Sequence, residues 1–139
     1  MPLINQICPE CGGAGKIAFD SHCLAGRLAW SASHFCDDCK YRVEEDSWDW
    51  IPDNYRRLEL QHDGSWSIKI LDPNNSLINA LKVIRQHCKL SLAEIAAIKK
   101  QLSEPILTGT RAEMDTIVFH LNKSGVEAIT ITTNSTCSE

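Results

Sequence analysis

Two Cys-x-x-Cys pairs, Cys8-Pro9-Glu10-Cys11 and Cys36-Asp37-Asp38-Cys39, are the residues of this 139-residue chain whose types and spacing bear most directly on chemistry. A tight turn carrying two thiolates three positions apart points both at one centre. Two such turns supply the four soft, tetrahedral ligands that zinc prefers. Gly12-Gly13-Ala14-Gly15 follows the first pair and suits a knuckle whose crowded backbone tolerates little side chain. The twenty-four residues between the pairs make a long loop, but closure entropy rises only slowly with length. Four thiolates leave no open position for water or substrate, so the expected Zn2+ is structural rather than catalytic. Cys23, His22 and His34 are the alternatives that can stand in for one of the four ligands. Cys88 falls in a helical apolar pattern and reads as a small core residue, while Cys137 lies in a polar tail.

The same cysteines could instead form a disulfide framework or a thiol redox centre. The opening Met1-Pro2-Leu3-Ile4-Asn5-Gln6 has neither the charged start nor the long apolar run of a secretory leader, and no membrane span is expected. The reading is therefore cytoplasmic, where thiols stay reduced and available to metal. A redox centre calls for one such motif opening a helix, whereas here two pairs sit in Gly-rich or acidic turns. His22, His34, His62, His87 and His120 are scattered without a nucleophile and an orienting acid beside them, and no phosphate-cradling signature is present. The expectation is a protein that is not an enzyme.

Short strands are predicted at Lys16-Ile17-Ala18-Phe19 and over 27–35, placing the cysteine pairs in a zinc ribbon, two knuckles joined by β-hairpins. After Cys39, large apolar residues alternate with carboxylates through Trp48, Trp50 and Pro52, and a helix is predicted over 54–61 before the Asp63-Gly64 turn. The first fifty residues hold too few large apolar side chains for a core of their own without metal. Beyond Gly64 the pattern changes. Residues 66–71 read as a strand, and a helix capped by Asn75 or Ser76 buries Leu77, Ala80, Leu81, Ile84 and Cys88. Capping boxes at Ser91-x-x-Glu94 and Thr110-x-x-Glu113 start two more helices, the first running to about Leu102. The second turns Met114, Ile117, Val118 and Leu121 inward and ends at Gly125. Residues 105–107 are a short extended piece, and 126–132 a closing strand. The fold class is α+β: a four-cysteine zinc ribbon with an acidic, Trp-rich extension over 1–64, a small βααβαβ sandwich over 65–132, and a disordered tail over 133–139.

The stretch from Ala80 to Glu94, with the Thr110-x-x-Glu113 helix and the Gly125 turn, resembles the C-terminal domain of the bacterial ribosomal stalk protein, a fold shared with the Clp-protease adaptor. The resemblance covers residues 66–132. It implies a helical hairpin that docks translational GTPases through basic side chains, with Lys82 and Arg85 at the family's basic positions. Ser91 stands where the family has glycine, and Ala93 and Ala96 where it has lysine. The zinc ribbon is no part of that family. The whole chain is also similar to small bacterial proteins encoded beside polymorphic toxins, with Leu28-Ala29-Trp30-Ser31-x-Ser33 preceding a knuckle.

Charge separates the halves. Up to Trp66 there are eleven acidic and six basic residues, and from Ser67 onward seven and eight, within a net charge of −4. An acidic ribbon argues against nucleic acid, which demands a basic face. Glu44, Glu45, Asp46, Trp48, Asp49 and Trp50 are the expected partner-binding residues: buried Trp supplies affinity and carboxylates steer the approach of a basic protein. The same run also fits a solvated acidic face with the tryptophans folded under it. The functional expectation is a non-catalytic protein-binding module, an immunity protein neutralising a basic bacterial toxin. The alternatives are a ribosome- or translation-factor-associated protein using Lys82 and Arg85, and a protease adaptor. A homodimer through Trp48 and Trp50 stays open.

Overall fold

The structure, a computed structural model, describes residues 3–88, 90–101 and 104–133; the expected tail beyond Thr133, and the expected helix end at Leu102, lie outside the described residues. The chain is mixed α+β, with two antiparallel sheets and, among the described residues, four helices. The first sheet is a meander of β1 (Leu3–Ile7), β2 (Ala14–Leu24), β3 (Arg27–Phe35) and β4 (Arg42–Trp48), hydrogen-bonded in chain order. A meander brings its first and third turns to the same end, and those turns carry the two cysteine pairs. The second turn, Ala25-Gly26, is a two-residue hairpin with φ values of 51° and 81° at the opposite end, as the twist of paired strands requires.

β2 runs from Ala14 to Leu24, well beyond the expected 16–19, and two strands, β1 and β4, were not expected at all. β1 is short, and its apolar residues Leu3, Ile4 and Ile7 do not alternate, so it exists by pairing with β2 from Leu3↔Ala18 to Ile7↔Ala14. The acidic extension is β4, paired with β3 from Ala29↔Trp48 to Phe35↔Arg42 and forming one edge of the sheet. Its carboxylates blunt an edge that would otherwise recruit another strand.

Directly opposed residues of an antiparallel sheet point to the same face. One face of the meander carries Ile17, Phe19, Leu28, Trp30 and Ala32 against Ile51 and Tyr55, with α1 (Asp53–Asp63) laid across it. Phe19 and Tyr55 stack at 5.3 Å, and Trp30 lies 5.4 Å from Tyr55. This core takes Ile51, Tyr55 and Ala112 from outside the first fifty residues.

The second sheet, β6-β5-β7, is built from β5 (Trp66–Ile70), β6 (Ile106–Gly109) and β7 (Ala128–Thr132). With α2 (Pro73–His87), α3 (Leu92–Lys100) and α4 (Arg111–Lys123), it gives the expected order of strand, two helices, strand, helix, strand. α2 starts at Pro73, ahead of the predicted cap, because proline is tolerated at the first helical position; the side chains of 74–76 lie outside the described residues. Both predicted capping boxes are formed, at Ser91/Glu94 and at Thr110/Glu113. Ile68, Ile70, Ala80, Ile84, Met114, Ile117, Leu121 and Val126 make this sheet's core. α4 belongs to both halves. Met114, Ile117 and Leu121 face the second sheet, while Ala112 joins the first core, Glu113 pairs with Arg56 of α1 at 3.0 Å, and His120 reaches the Gly26 carbonyl at 2.8 Å. Among the described residues no helix is long and apolar enough to cross a membrane.

Candidate metal centre

The sulfurs of Cys8, Cys11, Cys36 and Cys39 all lie within 4.8 Å of one another, with Cys8–Cys39 at 3.5 Å and Cys11–Cys36 at 3.7 Å. A disulfide would require about 2.05 Å. A tetrahedron of sulfurs with metal bonds of about 2.3 Å has edges of about 3.8 Å, which these separations match. The donor set therefore fits a soft divalent ion held by four thiolates.

The two knuckles are built alike. In the first, the Gly12 amide donates to the Cys8 carbonyl at 2.9 Å and the Cys8 amide to the Gly13 carbonyl at 2.9 Å. In the second, Lys40 donates to Cys36 at 3.0 Å and Cys36 to Tyr41 at 2.9 Å. Both turns need a left-handed residue at the fifth position, Gly12 at φ 71° and Lys40 at φ 61°. A lysine accepts there a conformation that glycine adopts without strain. A Cβ on Gly13 would stand 3.3 Å from the Cys11 sulfur, and the Gly13 amide itself donates to that sulfur at 3.4 Å. The glycine run thus lets backbone amides close on the sulfurs, the outer support that holds metal ligands in place.

The thiols do not titrate alike. The Cys11 amide, with Glu10 and the neighbouring thiols, lowers Cys8 to about 7 against the effect of burial. The Tyr41 amide favours the Cys39 thiolate, but burial and the other three thiols outweigh it and push Cys39 up to about 12. Cys11 is also raised, the Gly13 amide and Cys39, which lower it, being outweighed by Cys36, burial and Cys8. Four sulfurs this close ionise together only around a cation, and metal binding releases the remaining protons.

The three alternative ligands stand elsewhere. His34 accepts from Gln6 at 2.9 Å and meets the Tyr55 hydroxyl at 2.6 Å, so both ring nitrogens are engaged. Tyr55 in turn donates to Glu45 at 3.0 Å, and burial, with the Glu45 carboxylate, pushes its hydroxyl up to about 12, so it remains a donor. His22 points to Asp20 at 3.9 Å. Cys23 pairs with Leu28 near the hairpin turn, at the far end of β2 from the knuckles.

The expected partner-binding residues are divided by the register of β4. Glu44, Asp46 and Trp48 share the face opposite the core, in cross-strand rows Ala18–Ser33–Glu44, Asp20–Ser31–Asp46 and His22–Ala29–Trp48. Glu45 points the other way, to Tyr55. Asp49 turns out of the strand at φ 69° and takes Arg27 bidentately at 3.2 and 2.9 Å, and the same guanidinium lies 4.5 Å over the Trp48 ring. Trp50 is 68% exposed, while its carbonyl accepts the buried Trp30 indole N–H at 2.6 Å. Glu44 and Asp46 wall a groove of about 400 Å3 floored by Ser31 and Ser33. Asp20 was not singled out from the sequence, and Ser31 and Ser33 only within the motif that precedes the second knuckle; once β2–β3 pairing is assumed, the even-numbered positions of β2 and the odd-numbered positions of β3 identify all three.

Comparisons with protein-family models, with curated proteins and with solved structures find no match.

Proposed function

We propose that this chain is a zinc-stabilised, non-catalytic protein-binding module of the cytoplasm whose acidic sheet face receives a basic protein, and that its biological form is an immunity protein against a basic toxin domain. The supporting observation is the outward row of carboxylates, Asp20, Glu44 and Asp46, set around the small floor of Ser31 and Ser33 with Trp48 at its end. Small floor residues let a lysine or arginine of the partner approach the sheet, and carboxylates on both sides meet its charge. Zinc suits the four-thiolate set, and its closed coordination assigns it to holding the two turns, and so the strands that display this face. The experiment is co-purification with the protein encoded next to it, together with protection of cells that express that neighbour. Charge reversal by Glu44→Lys with Asp46→Lys should abolish capture and protection, whereas Glu45→Gln on the opposite face should leave both. Capture that ignores the reversal would reject this face.

A second reading, association with translation factors, draws on α2, where Lys82 and Arg85 share an exposed stripe with Ile78, itself 71% exposed. Lys82→Glu with Arg85→Glu should then abolish binding to translational GTPases, and unchanged binding removes it.

A further inference from the structure

A cleft of about 610 Å3 opens where the two sheets meet across α4. The β2–β3 turn and Asp49 form one side, and the end of α2 with β6 forms the other. Clefts of this size at junctions are the usual place for small-molecule sites. Two features show that the backbone is shaped around it. Between Trp66↔Gly109 and Ile68↔Ile106, β6 spends one residue more than β5, a bulge that carries Leu107 and Thr108 to the cleft. Leu107 adopts φ 60°, a strained conformation for a residue with a side chain, and strain of this kind gathers at ligand sites.

The lining then specifies the ligand. Leu28, Leu90, Leu107, Met114 and Ile117 make apolar walls. The polar capacity left over is mostly donor. Arg56 uses its Nε on Glu113, and its two terminal nitrogens make no hydrogen bond among the described residues; Arg27 spends Nε and one terminal nitrogen on Asp49 and keeps the other. The acceptors are taken. Asp49 holds Arg27, and Glu113 holds Arg56 and the Thr110 amide. His120 is turned to the Gly26 carbonyl and stacks on His87 at 4.0 Å. What the cleft lacks is a planar acceptor. Because Arg27 and Arg56 are already balanced by Asp49 and Glu113, a singly charged group adds one uncompensated charge to the cleft where a phosphate adds two, so the smaller charge is favoured.

We propose that this cleft binds a small organic monocarboxylate with an apolar body, gripped by the free guanidinium edges of Arg56 and Arg27. The test uses the zinc-loaded full chain, titrated with phenylacetate and hexanoate, their neutral amides, and phenyl phosphate, and followed by backbone amide NMR. The acids should shift the amides of Gly26, His87 and Thr108, with the neutral amides weaker by about tenfold or more. Arg56→Lys keeps the charge but loses the fork and should weaken the acids by about tenfold. Thr108→Trp, at an exposed position, narrows the mouth and should weaken them without touching either arginine. Absent shifts, shifts elsewhere on the surface, equal affinity for acid and amide, tighter phenyl phosphate, or indifference to Thr108→Trp would each overturn the proposal.

Discussion

The two sheets of this protein are stabilised by different means. The second rests on a continuous apolar cluster, in which Ile68, Ile84 and Leu121 are wholly buried and come from a strand and two helices. The first has an aromatic cluster at its middle and none at its knuckle end, where Ile7 is 78% exposed and the turns are rich in cysteine, glycine and acidic residues. There the four sulfurs stand where a hydrophobic core would be. Like other antiparallel sheets, the first buries one face and turns small polar residues and carboxylates outward on the other. Both sheets pack one face under helices; the second is held by that packing, and the first by that packing together with the sulfur cluster at its knuckle end.

Removing the proposed metal is the sharpest way to break the comparison. Structural zinc contributes on the order of 10 kcal/mol to folding in small sites, so chelation, or Cys36→Ser, should melt the knuckle end of the first sheet. The packing of Trp30 against Tyr55 should loosen while the Leu121 cluster persists. Elemental analysis should find one zinc per chain, and NMR of the chelated protein should keep the methyl signals of Ile68 and Leu121 dispersed. If chelation leaves both clusters unchanged, the sulfurs are not a structural centre.

Truncation of the second core is the converse. Leu121→Ala should cost about 2–5 kcal/mol in urea unfolding, with zinc stoichiometry unchanged. This core was legible in the sequence because Met114, Ile117 and Leu121 recur at helical spacing and both capping boxes mark their helix starts. The cysteine pairs were legible for the same kind of reason, a short-range spacing with one chemical use. What the sequence hid was long-range. α4 carries a second, half-buried face, Ala112 with Glu113 and His120, whose residues are small or polar and give no apolar periodicity; only the first sheet packed against it explains them. β1 and β4 were hidden likewise, since an edge strand takes its form from the neighbour it pairs with.

The contact between the halves can be weakened at one residue. Gly26 takes φ 81°, and a Cβ there would stand 2.6 Å from the Phe119 ring. Gly26→Ala combines a left-handed alanine with that clash and should cost about 1–3 kcal/mol. Phe119→Ala in the same chain removes the clash but not the turn strain. A double-mutant cycle should therefore show coupling, and strict additivity would mean that the hairpin tip and α4 do not press on each other.

The smallest expected effect concerns Glu59, which is buried in the first sheet's helical cover and accepts the Ser21 hydroxyl at 2.6 and 2.8 Å. Burial raises its pKa above the usual 4.5, opposed by the Ser21 hydrogen bond and assisted by Asp63, Asp20 and Glu113. The folded chain therefore holds this proton more tightly than the unfolded chain. The group's contribution is complete below the unfolded value and is lost as pH rises through the folded one. Glu59→Gln keeps an oxygen for Ser21 and presents its amide to the surrounding carboxylates, so it should remove this decline. The variant should be more stable than the parent at neutral pH, by less than either change above. Urea midpoints measured at pH 4 and at pH 7 decide it. Over that interval the parent should lose stability relative to Glu59→Gln, and parallel curves would mean that the carboxylate is solvated enough to ionise freely beneath the sheet.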